Sequence, residues 1–595
     1  MTALAPGSRS PSLENLRLLS DRRSAALLGP DAEVSWWCRP RFDSPPICWS
    51  LLDPRGGAAR WLEATHAGSD GEPAGPTART RLRIGFACRV EVWDGLVPTD
   101  GGGSDLVRLV RALDDDVDVW HSLKLGGFSE PWATWVDGTA TFEQLGSVTV
   151  RGGTSTFGAD GTALTQLRVT RDRWSALVIG DPATTPPDVD ALVRQLEECE
   201  AARIHTAPRK VSRTHAERIR HSLSVLVACT DRGTGAVIAS PTTSLPEVIG
   251  GDRQFDYRYS WLRDSSVAIT AASLVGNDDL ADEYVRFLIE LGPERILETP
   301  IRAVDGSTVP TEREVPDIEG WSASRPIRVG NDASTQLQYD VLGFVLDAIA
   351  TVHQGPRRAH RRAHRELWAI AVRLADRAAE AGEPSNGIWE IRAQQDFVSG
   401  DIGRWLALDR ALRLGHRLSA VRARGRWRRA RNEARDRVLG AIQPDGSLPQ
   451  VYGSSGADAS ALLLVAFDLL SPRDPRAARL VDATIAALGA GPLLHRYPPD
   501  GRDGFAPGEA PFVPASWWAV TALAKLGHPD AQHRADELCH MLPGLQPEEF
   551  DPGRREALGN VPLVWSHAEC TRALFELDRH RGALRGLRRR WSRPS

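Results

Sequence analysis

The feature that most constrains the fold is a change of hydrophobic pattern near residue 220. Before it, short alternating or β-branched runs, such as those at 106–111 and 147–151, are separated by turns rich in Gly, Asp and Thr. These runs predict β-strands, and their even spacing predicts a β-sandwich. After it, Ala, Leu and Arg dominate and apolar residues recur at helical spacing. That half is long enough for about a dozen helices with long connecting loops.

The sequence therefore predicts a multidomain α+β protein. We expect an N-terminal β-sandwich at residues 1–186, a charged linker helix at 187–220 and a helical domain at 221–595. One helical segment shows the pattern clearly, since Trp405, Leu408 and Leu412 lie on one face. Gly415 is expected to end that helix, because glycine commonly follows a helix C-terminus.

Composition excludes several classes of protein. The formal net charge is −4, so a general nucleic-acid binder, which needs a basic excess, is not expected. No run of 18 apolar residues predicts a membrane span, and the N-terminus shows no apolar core of signal-peptide length. The seven cysteines contain no CxxC pair, which is typical of buried or free thiols in a reducing cytosol. We expect a cytoplasmic protein with no metal site, and the sequence leaves its oligomeric state open.

Acidic and aromatic residues concentrate in four loops of the helical half. They are 254–266, 387–392, 495–512 and 547–567. Hydrolysis of a glycoside with inversion needs two carboxyl groups on opposite sides of the bond, about 6.5–9.5 Å apart, one as acid and one as base. A Glu behind a Trp, as in Trp389-Glu390, suits the acid because an apolar neighbour disfavours its charged form. For the base, the residues alone leave Glu509, Glu548 and Glu549 open.

The order of these segments resembles glycoside hydrolase family 15, which contains glucoamylases, glucodextranases and bacterial trehalases. Residues 35–44 are similar to the trehalase-like N-terminal domain. The other matching motifs are Asp256-Tyr-Arg-Tyr-Ser-Trp-Leu-Arg-Asp264, Arg325-Pro-Ile-Arg-Val-Gly-Asn331, Gly387-Ile-Trp-Glu390, Tyr452-Gly-Ser with Asp458-Ala-Ser, Arg496-Tyr-Pro, Glu548-Glu-Phe-Asp551 and Trp565-Ser-His567.

The resemblance implies a fold and a reaction. The fold is an (α/α)₆ barrel behind a β-sandwich, and the reaction is inverting hydrolysis of a small α-glucoside without a cofactor. Glu390 matches the general acid. Glu548 matches the general base because it stands seventeen residues ahead of Trp565, which separates it from Glu549 and Glu509.

The resemblance also implies a set of substrate-binding residues. Arg263, Asp264 and Arg496 match residues that hold the glucose ring. Tyr257, Trp261, Trp389 and Trp565 match its aromatic lining. We further expect Arg328, Glu509 and His567, which stand within or beside the matching motifs, to contact the substrate.

Several positions depart from the family pattern and concern the leaving group. Phe255 stands where the family usually has a tryptophan. The other departures are Ser385-Asn386 before the Gly-Ile-Trp-Glu motif, Gly508-Glu-Ala-Pro511, and the segment Asp396–Asp401. The favoured substrate is α,α-trehalose. The alternatives are a glucoamylase or glucodextranase acting on malto- or isomalto-oligosaccharides, a sugar-binding relative with impaired catalysis, and a phosphorylase that uses phosphate in place of water.

Overall fold

A computed structural model describes residues 10–591 except 86–87, 100, 184, 203–207, 209–210, 212–213, 355–360, 418–423, 502 and 506. Within these residues the N-terminal part forms two large sheets. The nine-stranded sheet contains, in spatial order, Thr154–Phe157, Thr162–Val169, Val117–Lys124, Ala58–Trp61, Val34–Cys38, Ala25–Leu28, Arg17–Ser20 and Ala74–Gly75, with Pro46–Cys48 also paired to Val34–Cys38. The eight-stranded sheet contains Trp135–Val136, Thr139–Phe142, Gly146–Arg151, Ser175–Gly180, Ser104–Ala112, Cys88–Pro98, Thr77–Ile84 and Ala64–Asp70.

The two sheets pack on one another through apolar side chains. Trp37 and Leu19 of the first sheet share one buried cluster with Val92, Leu106 and Leu177 of the second. Two sheets that share a core in this way form a β-sandwich. The predicted strands at 106–111 and 147–151 are confirmed within Ser104–Ala112 and Gly146–Arg151.

Helices make up most of the chain after residue 188. In chain order they are α1 Val189–Ala202, α2 Ala216–Ala228, α3 Leu262–Leu274, α4 Asp278–Glu298, α5 Asp340–Gln354, α6 Arg361–Glu380, α7 Val398–Arg417, α8 Arg424–Gly440, α9 Leu462–Ala466, α10 Pro475–Leu488, α11 Val513–Leu526, α12 Asp530–Met541 and α13 Val564–Trp591. Short hairpins pair Ser260–Trp261 with Ile301–Arg302, Arg313–Val315 with Ile327–Val329, Gly489–Ala490 with Leu493–Leu494, and Glu549–Asp551 with Glu556–Leu558.

Alternate helices form two layers. α3 packs on α5, α5 on α7, α9 on α11, α11 on α13 and α13 on α3, whereas α4 packs on α6 and α6 on α8. Burial follows the same division, since α3 and α11 are buried along most of their length but α8 and α12 bury only one stripe. A helix buried on every side lies inside a domain, and one buried on a stripe lies at its surface. The mixed α+β architecture is therefore confirmed.

Helix α7 differs from its predicted end. Trp405, Leu408 and Leu412 are buried together as expected, but the helix continues through Gly415 to Arg417. Gly415 is not among the residues with positive φ, and a left-handed residue is what usually ends a helix at glycine. The prediction that Gly415 ends the helix was wrong.

Residues 35–44 join the two parts of the molecule. The Trp36 indole N–H donates to the Pro241 carbonyl at 2.8 Å. Arg258 pairs with buried Asp256 at 2.7 Å and also donates to the Ser44 carbonyl at 2.7 Å. Arg258 belongs to the segment that leads into α3. The β-domain therefore fixes the segment that carries the first group of predicted site residues.

The cysteines are free thiols, as predicted. In the described part of the chain, no helix combines the length and the apolar character needed to cross a membrane.

Candidate active site

One cavity of about 430 Å³ brings together nine of the twelve predicted site residues. Its walls come from loops that lead directly into the N-termini of α3, α5, α7, α11 and α13, at 253–264, 331–336, 386–394, 496–512 and 548–565. The helices place these loops at one end of their bundle, although the loops are far apart in sequence. The cavity lies within the usual range for small-molecule sites, about 300–1,000 Å³.

Glu390 projects into this cavity from a tight turn. Its backbone has φ +61°, a left-handed conformation that costs a non-glycine residue energy and that surrounding contacts must impose. The Asn386 side chain supplies such contacts, because its Oδ1 accepts from Leu337 N at 3.0 Å and its Nδ2 donates to the Ile391 carbonyl at 2.8 Å. An aspartate there could make only the first of these bonds.

The Glu390 carboxylate is held by two donors. Its Oε1 accepts from the Trp261 indole N–H at 2.8 Å and from Arg263 Nη2 at 3.1 Å, and the side chain is 23% exposed. The preceding Trp389 turns its own N–H to Asp458, at 2.7 Å. Trp389 therefore forms part of the wall, while Trp261 and Arg263 set the direction of the carboxylate.

Glu548 lies on the same cavity and is buried. Its Oε1 accepts from the Tyr257 hydroxyl at 2.8 Å, and its Oε2 has no hydrogen-bond partner among the described residues. Burial raises the pKa of Glu548 well above its ordinary value; the nearby charge of Glu247 raises it further and Arg496 opposes the rise. Oε2 is buried beside Gly559, where an added Cβ would lie 2.8 Å from it, so this oxygen faces the protein interior.

A pair of aromatic rings links the two glutamates. Tyr257, which holds Glu548, packs edge-to-face on Trp261, which holds Glu390, with ring centroids 5.4 Å apart. Both rings line the cavity. The two carboxylates thus belong to one connected wall.

Three further carboxylates lie close together near Glu548. Oxygen atoms of Glu247, Glu509 and Glu549 lie within 4.8 Å of one another. Such a group could hold a metal ion, but Arg496 already contacts all three, at 2.7, 2.5 and 3.4 Å, and Arg253 adds a second positive charge 3.4 Å from Glu509. Burial raises the pKa of Glu549 well above its ordinary value and that of Glu247 above its own. The arginines supply the positive charge that a cation would otherwise bring.

Arg263 and Asp264 form the deep end of the cavity. Arg263 Nε donates to Asp264 at 2.8 Å, its Nη1 donates to the Ile388 carbonyl at 2.9 Å, and its guanidinium lies 4.2 Å from the centroid of the Trp565 ring. Burial raises the pKa of Asp264 to about 6, and the Arg263 charge opposes this rise. Charged groups with fixed partners in a buried aromatic pocket suit a ligand with several hydroxyl groups.

The structure brings together nine of the predicted residues on the cavity wall: Glu390, Glu548, Tyr257, Trp261, Arg263, Asp264, Trp389, Arg496 and Trp565. It does not place the other three there. His567 is fully buried behind the wall, where its Nε2 accepts from Gln546 N at 2.9 Å and its Nδ1 lies 3.2 Å from Ser222 Oγ. His567 faces the opposite way from Trp565 because the two lie on different faces of α13.

Arg328 and Glu509 act through other residues. Arg328 donates to the carbonyl groups of Asp252 and Gln254 and packs under the Phe255 ring at 5.5 Å. The Glu509 carboxylate forms ion pairs with the two arginines described above, Arg496 and Arg253. Both positions support the wall, and their contact with the substrate stays a prediction.

Sequence reasoning missed several residues of the site. Glu247, Arg253 and Phe505 belong to the cavity wall, yet none stands in a matching motif. Their only signal is an acidic, basic or aromatic residue in a loop rich in glycine or proline. Many surface loops share that composition.

Comparisons with known proteins agree with this geometry. A family model described as glycosyl hydrolases family 15 matches residues 214–543, and one described as trehalase-like, N-terminal, matches residues 3–110. A trehalase of Mycobacterium tuberculosis is 28% identical, with 96% of this chain and 90% of that protein covered. A trehalase of Mycolicibacterium smegmatis is 29% identical, with 97% and 94% covered.

Among solved structures, a bacterial glucoamylase complexed with acarbose superimposes with a TM-score of 0.68 and 13% identity, over 97% of this chain and 96% of that one. This likeness concerns the fold. Since the family model covers more than half of the chain, including the cavity loops before residue 544, the chain belongs to family 15 of the glycosyl hydrolases and is a glycoside hydrolase.

Proposed function

We propose that the protein is an inverting α,α-trehalase that releases β-glucose. The observation that carries the proposal is the placement of Glu390 and Glu548 on one cavity, linked through the Trp261 and Tyr257 rings. The substrate assignment is supported by relatives named trehalase that align over almost the whole chain.

The chemistry follows from the two carboxyl groups. Glu390, protonated, gives its proton to the glycosidic oxygen, and the bond from C1 to that oxygen breaks with its electron pair leaving on oxygen. A water held by Glu548 attacks C1 from the opposite face, and its proton passes to Glu548. The products are β-glucose and a second glucose, and exchange of protons with solvent restores both glutamates.

The place of Glu548 on the cavity wall supports the role of base. Burial favours the protonated form of this group. The Tyr257 hydroxyl donates to Oε1 of this carboxylate at 2.8 Å, and a hydrogen bond to a carboxylate favours its charged form. Arg496, among the acidic groups behind Glu548, favours the same form through its positive charge.

Two hydrolytic alternatives and one phosphorolytic alternative are separated by a single experiment. The protein is incubated with trehalose, maltose and isomaltose, with and without phosphate, and the products are followed by NMR. We expect β-glucose and α-glucose to be released from trehalose in equal initial amounts, without phosphate. Equal rates on trehalose and maltose would contradict the trehalase assignment. Sugar phosphate as product would favour a phosphorylase.

Catalytic impairment is tested by replacing the two glutamates. In an active hydrolase, Glu390→Gln and Glu548→Gln each reduce kcat by about 10²–10⁴-fold or more. A sugar-binding relative without activity would show no difference from the parent in this assay. Sugar binding, measured by calorimetry, is expected to persist in both variants because the glutamines keep the shape of the cavity.

Several further expectations are part of the same proposal. The two helix layers, with α3, α5, α7, α9, α11 and α13 inside, support an (α/α)₆ barrel. We retain the division at 1–186, 187–220 and 221–595, the small α-glucoside as substrate, the absence of a metal or other cofactor, and the cytoplasmic location as predictions.

A further inference from the structure

The cavity has a closed end and an open end. Asp264 and Trp565 are almost fully buried at the closed end, whereas Arg392 and Gln394 are exposed at the other. Glu390 lies between them in exposure, with 23% of its side chain accessible. If the glucose ring occupies the closed end, an acid in this position protonates an oxygen that points toward the open end. The leaving sugar therefore lies among the residues of the open end.

Two phenylalanine rings form part of that open end. Phe255 and Phe505 both line the cavity and meet edge-to-face, with centroids 5.5 Å apart and planes at 88°. Two guanidinium groups lie near the Phe505 ring, Arg253 at 5.0 Å and Arg392 at 5.2 Å from its centroid. An aromatic surface beside fixed polar groups suits a sugar ring, which has apolar C–H faces and hydroxyl groups at its edge.

The loop that carries Phe505 is tied to the catalytic wall. Asp503 accepts from the Tyr497 hydroxyl at 2.6 Å and pairs with buried Arg253. Arg253 also contacts Glu509, one of the carboxylates grouped behind the base. Phe505 is therefore held at the cavity although it belongs to a half-exposed loop.

Arg392 completes this group at the rim. It is 55% exposed and lies 3.2 Å from Glu312, which is itself 12% exposed and contacts Arg328 at 3.3 Å. The ion pair fixes Arg392 and Glu312 at the mouth of the cavity, where donors and acceptors for hydroxyl groups are needed.

We propose that Phe505, together with Phe255 and Arg392, binds the leaving sugar and so determines which disaccharide is hydrolysed. This inference rests on the proposed function, because it places the scissile bond at Glu390. It concerns two positions outside every motif that identifies the family, Phe505 and Arg392, and one, Phe255, at which the chain departs from the family pattern.

The test compares a substrate that has a leaving sugar with one that lacks it. Phe505→Ala, Phe505→Leu and Arg392→Ala are assayed on α,α-trehalose and on α-glucosyl fluoride, whose fluoride leaves without occupying the sugar subsite. We expect kcat/KM on trehalose to fall about 10–200-fold for Phe505→Ala, the range for one lost apolar contact in a pocket, and less for Phe505→Leu. On the fluoride, kcat/KM is expected to change less than about twofold.

The control is Phe157→Ala. Phe157 is 39% exposed on a strand of the β-domain and should affect neither substrate. Equal losses on trehalose and fluoride would show that Phe505 supports the whole site, and unchanged activity on both would show that it does not touch the sugar; either result overturns the inference. Arg392→Ala repeats the test at an exposed position where folding is not at risk.

The proposed function can fail separately. If the parent protein hydrolyses the fluoride and maltose but not trehalose, maltose replaces trehalose in the comparison, and the inference on the subsite is tested in the same way. If the parent hydrolyses neither a disaccharide nor the fluoride, the function and the inference are both refuted.

Discussion

Tyr257→Phe removes the only hydroxyl that donates to Glu548 among the described residues. The bond to Oε1 is 2.8 Å long, and Oε2 has no protein partner there. A hydrogen bond to a charged group is worth about 1.5–3 kcal/mol. Since about 1.36 kcal/mol corresponds to a tenfold change in rate, loss of this bond should lower kcat about 10- to 150-fold near neutral pH.

The pH dependence gives the decisive readout. Burial and the charge of Glu247 already raise the pKa of Glu548, and the Tyr257 hydroxyl acts in the opposite direction. Removing the hydroxyl therefore raises this pKa further. The base must be ionised to accept a proton, so the acidic limb of the profile of kcat against pH moves to higher pH. Activity lost near neutral pH is partly recovered in more alkaline buffer.

The assay follows glucose release from trehalose between pH 5 and pH 9, with thermal unfolding as a check on folding. Tyr284→Phe is the matched control, because Tyr284 is buried and its hydroxyl bonds to Ser266 and the Leu262 carbonyl outside the cavity. It should lower the stability slightly and leave the profile unchanged. A fall of kcat by the same factor at every pH in Tyr257→Phe would refute the reasoning.

Three other predictions test the surroundings of the site and the core. Gly559→Ala should reduce both stability and kcat, since Gly559 has φ +70° and a Cβ there would lie 2.8 Å from Glu548 Oε2; Gly527→Ala, at φ +69° with open space around it, should reduce the stability only. Burial lowers the pKa of His567 well below its ordinary value. Below about pH 6.5 this histidine therefore binds a proton in the unfolded chain but stays neutral in the folded protein, so the stability should fall as the pH drops. His567→Asn should make the unfolding temperature less dependent on pH in that range, and an unchanged dependence would contradict this. Asp94→Asn breaks a fully buried ion pair with Arg108 and should cost about 3–5 kcal/mol in urea unfolding; a loss below about 1 kcal/mol would contradict it.

Sequence reasoning succeeded where the information is local. Alternation and helical spacing depend on which face of one strand or helix is buried, so they located the change from sheets to helices and the buried stripe of α7. Motif order predicted Glu390 and Glu548 as partners; both lie on one cavity, and their catalytic roles stay a prediction. The end of α7 was missed because glycine commonly ends a helix through a left-handed turn; Gly415 does not adopt one, and the sequence does not specify this.

Tertiary structure decided which residues of each motif reach the cavity. Trp565 and His567 stand two residues apart, but on a helix such residues point in different directions, and only Trp565 lies on the wall. Arg328 and Glu509 instead form hydrogen bonds and ion pairs with residues that are distant in sequence.

The chain by itself thus determined its fold class and its family and predicted the two glutamates, because these depend on local pattern and on the order of motifs. Only the folded chain brought Glu247, Arg253 and Phe505 to the same cavity. Their role arises from the convergence of loops at one end of the helix bundle. That convergence depends on how the helices pack, and no local pattern records it.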